Sequence, residues 1–344
     1  MAEQELQSAM KPLPAAKANS FPRAIKTVLS VCGLLFFFYL IQRLGWGTII
    51  GNIGRFGAWF AVICLLGAAW VLCQSLAWTM IQNSLSQKVS LLFIIRIRLI
   101  CDALNLLLPS ASLGGDAARA YLLKKKVHLK EGLAGVLMDK TFEFIGGLLF
   151  MTVGLVISFL SVRLPRALLV PGILCLVITF VVISALVVLQ LKGFTSMLLK
   201  ITRFIPRLQQ LVRSKENEFR TLDANLKKLY AKANWKIPAA IALQFTARMT
   251  GAVETLIILR ALGAPVQFSE AIYISAVVTI VNTIFFLLPG QWGVMEGAHV
   301  LLVKSLHYRS ALGLSLGIIR RIRKMVFVAA GLILFTIEKR HAGR

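Results

Sequence analysis

Two short stretches of this chain place polar, chemically active residues in the middle of apolar sequence. They cover residues 108–119 and 288–299. Each has a carboxylate seven residues after a proline, Asp116 in the first and Glu296 in the second, and a basic or titratable residue three positions later. A helix that faces lipid should carry neither a proline nor an acid. We therefore interpret the two stretches as the breaks of two re-entrant helical hairpins that together build one buried polar site.

The residues that interrupt the helices are of the same types in both stretches. They are Asn105, Pro109, Gly114 and Gly115 in the first hairpin, and Asn282, Pro289, Gly290 and Gly293 in the second. Proline and glycine end regular helix, and asparagine can hydrogen-bond to the backbone groups that a break sets free. We expect the two asparagines to cap such groups, with contact to a ligand as the alternative.

Six of the fourteen acids lie inside apolar segments, where an unpaired charge costs about 2.5–3.5 kcal/mol on insertion scales. Pairing with basic residues is therefore expected, and such pairs could simply hold helices together. The alternative is a substrate-binding and translocation site, for which the candidates are Asp116, Arg119, Asp139, Lys140, Glu143, Glu296 and Arg320. In that site the cations would hold a lipid phosphate, while the acids would complement a cationic headgroup or take up protons.

The composition assigns the chain to the membrane. Its hydrophobic fraction is 58%, against roughly 45–50% in soluble proteins, and apolar runs of about 20 residues recur. The net charge is +25, and the basic residues cluster between apolar runs. This pattern predicts anionic or zwitterionic membrane lipids as partners, not nucleic acid. Neither a metal-binding cluster nor a cofactor motif is present, and no catalytic constellation is found, so we do not expect an enzyme.

The order of apolar and polar segments predicts an all-α integral membrane protein with about six full spanning helices and two re-entrant hairpins in an inverted repeat. The predicted segments are a cytoplasmic tail at 1–24, a single membrane domain at 25–337, whose first span is 25–44, and a second tail at 338–344. Within the membrane domain, repeat A covers 56–160, a basic cytoplasmic segment covers 192–236, and repeat B covers 237–337. The basic segment reads either as an amphipathic helix on the inner leaflet or as a solvated linker.

Charge bias sets the predicted orientation. Basic clusters place the N-terminus, the turn at 124–130, the segment 192–236 and the C-terminus on the cytoplasmic side. With these segments on the cytoplasmic side, the number of spans requires each hairpin to leave the membrane on the side from which it entered. The first hairpin then enters from the cytoplasm and the second from the opposite face. A bacterial inner membrane is the expected location.

The ordered motifs resemble those of the lysylphosphatidylglycerol synthetase transmembrane-region family, the lipid-flippase part of larger proteins and also a set of stand-alone membrane proteins. The resemblance spans roughly residues 25–337 and rests on these motifs: Pro109-x4-Gly114-Gly115-Asp116-x2-Arg119, Asp139-Lys140-x2-Glu143, Pro289-Gly290-x2-Gly293-x2-Glu296 and an arginine at 320 or 321. This chain has Gln291 where the family often has a second glycine, and Met295 where it often has an arginine. The family's aminoacyl-transferase domain is not in this sequence, so lipid aminoacylation is not expected.

Two classes of function follow from these observations. The first, implied by the resemblance, is a lipid translocator that carries a polar headgroup through a charged groove between the two hairpins. The alternative is a membrane-embedded enzyme or accessory factor in hopanoid, glycolipid or polyprenyl-lipid biosynthesis. Either function also allows a protein partner, which would be a second copy of the chain or a protein of lipid biosynthesis.

Overall fold

A computed structural model describes residues 56–84, 88–107, 113–161, 166–193, 216–232, 235–285, 291 and 293–342, together with five isolated positions between 39 and 54. Ten helices have defined bounds: α1 Trp59–Gln82, α2 Leu91–Leu107, α3 Leu113–Leu123, α4 Leu129–Ser161, α5 Arg166–Lys192, α6 Glu216–Lys232, α7 Lys236–Ala261, α8 Phe268–Ile284, α9 Val294–Ser305 and α10 Ser310–Ala342. The tail predicted at 338–344 is therefore helical as far as residue 342. The predicted tail at 1–24 and the first predicted span, 25–44 apart from its two isolated positions, lie outside the described residues.

Two helices, α1 and α4, are long and apolar enough to cross a membrane by length and composition. They contain 24 and 33 residues, which at 1.5 Å per residue is enough for about 30 Å of hydrocarbon. Large apolar side chains also face outward, among them Phe159 and Leu160 on α4 and Val170 on α5. Such outward-facing apolar surface fits lipid contact. The total of about six spans remains a prediction.

Both predicted hairpins contain two short helices. The arms of the first, α2 and α3, have 17 and 11 residues, and those of the second, α8 and α9, have 17 and 12. Each arm is thus at most about 26 Å long, which is short for a full crossing of about 30 Å. The predicted breaks at Pro109, Pro289 and Gly290 lie outside the described residues.

The centre of the fold is the antiparallel pair α1 and α7. The start of α1 packs against the end of α7, where Ile63 and Ile258 share one apolar cluster, and the end of α1 packs against the start of α7 through Ile81 and Ala240. At the middle of the pair, a Cβ atom on Gly251 would come within 3.1 Å of the Trp70 ring. Small residues at such crossings allow two membrane helices to approach closely.

The two predicted repeats form two halves of the protein, with α1–α4 in the first half and α7–α10 in the second. Each predicted hairpin packs against the last long helix of the other half. Gly331 of α10 lies against the backbone carbonyl of Leu99 in α2, and Gly154 of α4 lies against Ala276 in α8. The two halves therefore exchange equivalent contacts on either side of the central pair. This packing brings the polar residues of both halves toward the middle of the molecule.

Helix α6, in the basic segment, packs against protein with its apolar side. Leu226 and Leu229 are buried in a cluster with Met138 of α4, and the Tyr230 hydroxyl donates a 2.8 Å hydrogen bond to Gln190 of α5. These residues of the predicted amphipathic stripe are thus covered by α4 and α5. This part of the stripe therefore contacts protein, and the position of the segment at the inner leaflet stays a prediction.

Candidate functional site

The first polar network is centred on Asp139 in α4. Its carboxylate accepts hydrogen bonds from Arg98 at 2.6 Å and from Gln244 at 3.0 Å, and Arg98 also donates to Gln74 at 2.6 Å. Asp139 and Arg98 are 2% and 1% exposed, so this ion pair is closed to solvent. The four residues come from α4, α2, α7 and α1, and the pair therefore joins both halves of the protein.

Arg119 of α3 extends this network toward the first hairpin. Its guanidinium lies 2.7 Å from Asp102, 3.3 Å from Asp116 and 3.8 Å from Asp139. It also lies over the ring of Trp78, with 5.8 Å between the guanidinium carbon and the ring centroid. One buried arginine thus neutralises acids from α2, α3 and α4, which fixes the hairpin against α4.

Lys140 and Glu143 carry the network along α4 toward α7. Lys140 lies 3.6 Å from Asp116 and 3.3 Å from Glu143, and Glu143 lies 3.6 Å from Arg248 of α7. Arg248 stacks over Trp70 at 5.3 Å. The spacing of three residues puts Lys140 and Glu143 on one side of the helix. The first network therefore contains four basic and four acidic side chains: Arg98, Arg119, Lys140 and Arg248 with Asp102, Asp116, Asp139 and Glu143.

A second network lies between α7 and α10. Glu254 is 3.6 Å from Arg320 and 2.7 Å from Arg323. Arg320 also donates hydrogen bonds to the Gly251 carbonyl and to the Thr255 hydroxyl, at 2.5 and 2.7 Å. Helix α10 runs continuously through these arginines, from Ser310 to Ala342. The charges consequently face the interior of the bundle.

A third polar group connects α9, the second arm of the second predicted hairpin, to α10. Glu296 is 1% exposed and lies 2.5 Å from Arg321 of α10, and its other carboxylate oxygen accepts a 2.9 Å hydrogen bond from the backbone of Gly293. Gly293 has φ at +75°, a conformation that glycine tolerates. Nδ1 of the buried His299 is 2.6 Å from the carbonyl oxygen of Met295, a contact within α9.

A cavity of about 150 Å³ lies between the networks. Its charged lining comes from α7 and α10, with Arg248, Arg320, Arg323 and Glu254. Helices α1, α4, α8 and α9 complete the walls: Trp70, Phe150, Ser275, Val278, Thr279, Asn282 and Met295. Helices of both halves therefore line this cavity beside the middle of the central pair, where Trp70 and Gly251 lie.

The candidates named from the sequence do not fall into one cluster. Asp116, Arg119, Asp139, Lys140 and Glu143 lie together in the first network, whereas Arg320 and Glu296 lie in the second and third. Glu296 pairs with Arg321, one residue from the candidate Arg320.

The two asparagines also have different surroundings. The Asn105 side-chain oxygen accepts a 2.8 Å hydrogen bond from the backbone of Gly115, across the first break, whereas Asn282 lines the central cavity. Gly114 lies within α3.

Several members of the networks were absent from the sequence-derived set. Arg98, Arg248 and Glu254 carried a signal, because each is a charge inside an apolar segment and needs a partner. Gln74 and Gln244 carried no such signal, since a glutamine in a membrane helix is much less costly than a charge. Only the packing of α1 and α7 against α4 brings them to Arg98 and Asp139.

Helices with outward-facing apolar side chains and buried ion pairs define this chain as a helical membrane protein. A family model described as "Lysylphosphatidylglycerol synthase TM region" matches residues 23–331. The chain therefore belongs to that family, as its motifs indicated. A relative named "UPF0104 membrane protein", from Methanothermobacter thermautotrophicus (strain Delta H), is 26% identical over an alignment of 235 residues, which covers 65% of this chain and 68% of the relative. No solved structure gives a significant match.

Proposed function

We propose that this protein is a lipid translocator, which moves a polar-headgroup lipid between membrane leaflets through the space between its two hairpins. The observation that carries the proposal is the charged central cavity, walled by helices of both halves of a chain that is otherwise strongly apolar. A charge buried among membrane helices is costly and usually serves a substrate or ion pathway. Lipid tails can stay in the bilayer while only the headgroup needs this polar space.

The packing supports an alternating-access mechanism. The central helices α1 and α7 run antiparallel, and the exchanged contacts of α2 with α10 and of α8 with α4 are those expected of an inverted repeat. Transporters built in this way place their site at the interface of the repeats and expose it to each side in turn. In this protein the interface is where the ion-pair networks meet.

The orientation belongs to the same proposal. We infer that the protein lies in a bacterial inner membrane with both termini in the cytoplasm, and that the first hairpin opens toward the cytoplasm and the second toward the opposite face. Single cysteines at Ser112 and Gln291 should then react with an impermeant thiol reagent from opposite sides of sealed vesicles. Labelling of both from one side would contradict the inverted arrangement.

Transport itself is tested in proteoliposomes with labelled anionic, zwitterionic and cationic lipids, with and without a pH gradient. Asp116→Asn and Glu296→Gln should abolish protein-dependent movement while the variants remain folded and inserted. Lys125→Gln, which removes an exposed partner of Glu338, is the control and should transport normally. Normal transport by both carboxylate variants would show that these acids are only structural.

The assay also separates the alternative function. If no lipid moves in any condition, a role as an accessory factor or enzyme in hopanoid, glycolipid or polyprenyl-lipid biosynthesis becomes the better proposal. We infer that the chain is not itself an enzyme, since its buried acidic side chains lie in ion pairs with arginines and a lysine.

A further inference from the structure

A further cavity, which we call the basic recess, lies at the turn between α3 and α4. Its volume is about 890 Å³, within the roughly 300–1,000 Å³ of typical small-molecule sites. The turn and the start of α4 form one wall, and residues 219–225 of α6 form the other. Among the described residues, none that lines the central cavity also lines the recess, so the two are separate sites.

The wall formed by the turn is strongly basic. It carries Lys124, Lys125, Lys126 and Lys130, all of them exposed, and Glu131 is the one acid among the described residues that line the recess. With the histidine of this wall counted as neutral, four positive charges and one negative charge leave a net charge of +3. Ammonium groups this close together repel one another, and a polyanion between them would relieve the repulsion.

The start of α4 adds to the attraction for an anion. This helix begins at Leu129 and contains 33 residues, and the N–H groups of a helix's first turn carry partial positive charge. In that turn Lys130 is followed directly by Glu131, so the protein's own acid offsets only part of the local positive charge. The helix dipole and the lysines therefore act in the same direction, and both favour a bound anion.

The wall formed by α6 has a different character. Phe219 and Leu222 give it an apolar part, and Thr221 and Asn225 add a hydroxyl and an amide. Among the described residues, every charged side chain that lines the recess belongs to the other wall. The ligand that fits best has several negative charges at one end and a flat ring with hydrogen-bonding atoms at the other. An acidic peptide would instead distribute its charges along its length.

Both walls are held by contacts within the protein. Leu226 and Leu229 of α6 are buried against Met138 of α4, and the Tyr230 hydroxyl donates a 2.8 Å hydrogen bond to Gln190 of α5. The recess is therefore formed before any ligand binds, which lowers the cost of binding a small molecule. A flat basic surface would suit lipid headgroups better than this space between two fixed walls does.

We propose that the basic recess binds a nucleoside diphosphate, with the diphosphate among Lys124, Lys126 and Lys130 and the base beside Phe219. Near neutral pH such a ligand carries about three negative charges, because the second pKa of a terminal phosphate is about 6. This charge balances the net charge of the lining. The turn at 124–130 is predicted to lie in the cytoplasm, where soluble nucleotides are found. The inference goes beyond the proposed function and does not depend on lipid movement.

Binding is measured on the full-length protein in a mild non-ionic detergent, as the shift of its thermal unfolding temperature with ligand concentration. The probes are ADP, adenosine, sodium pyrophosphate and hexaglutamate, without magnesium and at one fixed ionic strength. ADP should give a saturable increase and adenosine none, because adenosine lacks the charge. Pyrophosphate should bind more weakly than ADP, since it cannot use the apolar wall.

Two variants test the two walls separately. Lys124→Gln/Lys126→Gln should raise the apparent dissociation constant for ADP and for pyrophosphate by about tenfold or more. Phe219→Leu should raise it for ADP by about threefold or more and leave pyrophosphate binding unchanged. The matched control is Lys227→Gln/Lys228→Gln, which removes the same two charges from exposed positions of α6 outside the recess, and it should bind as the unaltered protein does.

Four results would overturn the inference. Equal shifts from ADP and adenosine would exclude recognition of the diphosphate, and equal affinity for ADP and pyrophosphate would exclude recognition of the base. Tighter binding of hexaglutamate than of ADP would indicate an acidic protein partner. Equal losses in the recess variant and in the matched lysine control would mean attraction to the net charge of the protein only.

Contact with the membrane surface is tested on the same proteins. Phosphatidylglycerol is added to the micelles at increasing concentration in the absence of nucleotide. If it stabilises the unaltered protein but not Lys124→Gln/Lys126→Gln, and ADP gives no shift, the lysines bind the anionic leaflet and the nucleotide site is rejected. Saturable ADP binding that persists in the presence of phosphatidylglycerol would support the recess as a site for a soluble ligand.

Discussion

Replacing Asp139 by asparagine should strongly destabilise the fold. The asparagine can still accept the hydrogen bond from Gln244, so the main loss is the negative charge 2.6 Å from Arg98. Arg98 is 1% exposed, and among the residues that the structure describes it would keep Gln74 as its one close hydrogen-bond acceptor. Breaking one side of a buried ion pair costs about 3–5 kcal/mol. Even 3 kcal/mol lowers the folding equilibrium constant by a factor of roughly 150.

The assay is reversible unfolding in mixed micelles, followed by tryptophan fluorescence, for Asp139→Asn and for the double variant Arg98→Met/Asp139→Asn. The double variant removes both charges and should recover most of the lost stability, because a buried pair is often replaceable by neutral residues. Lys125→Ala breaks an exposed pair and should cost no more than about 1 kcal/mol. The reasoning is refuted if Asp139→Asn costs as little as Lys125→Ala, or if the double variant is no more stable than the single one.

The remaining predictions concern backbone positions and are measured by the same unfolding assay. Gly115→Ala should displace Asn105, whose side chain occupies the space of the new Cβ. Gly115→Ala and Asn105→Ala each remove the same hydrogen bond, from the Gly115 backbone to the Asn105 side chain. The double variant should therefore be no less stable than either single variant. Gly331→Ala should cost about 1–3 kcal/mol through overlap with a backbone carbonyl, whereas Gly147→Ala meets only ordinary contacts and should be neutral or stabilising; equal effects would contradict this. Gln291 has φ at +48°, so Gln291→Gly should be more stable than Gln291→Ala by about 1 kcal/mol, and the reverse order would exclude backbone strain there.

Much of the local structure could be predicted from residue types. Each predicted hairpin contains two short helices, α2 with α3 and α8 with α9, as the apolar runs and their flanking charges indicated, and their re-entry into the membrane stays a prediction. The need for ion pairs could also be predicted, because six acids lie in apolar sequence. Each of the six has a basic partner within 4 Å in the structure.

The choice of partners could not be predicted in the same way. Arg320 and Arg321 are adjacent in sequence but point to different sides of α10, so that one reaches Glu254 and the other Glu296. Helix α6 shows the same limit, because its amphipathic pattern fits a lipid surface as well as it fits a protein surface. Its contacts with α4 and α5 decide between the two.

The sequence by itself determined that this chain is a helical membrane protein of its family, because hydrophobic runs, helix-breaking residues and buried charges act over a few residues. The tertiary structure decided which charges meet, because pairs such as Arg98 with Asp139 and Gln244 with Asp139 join segments 41 and 105 residues apart. The charged lining of the central cavity belongs to this second kind of information. It depends on how Arg320, Arg323 and Glu254 are distributed around one space, and long-range packing of α7 against α10 sets that distribution.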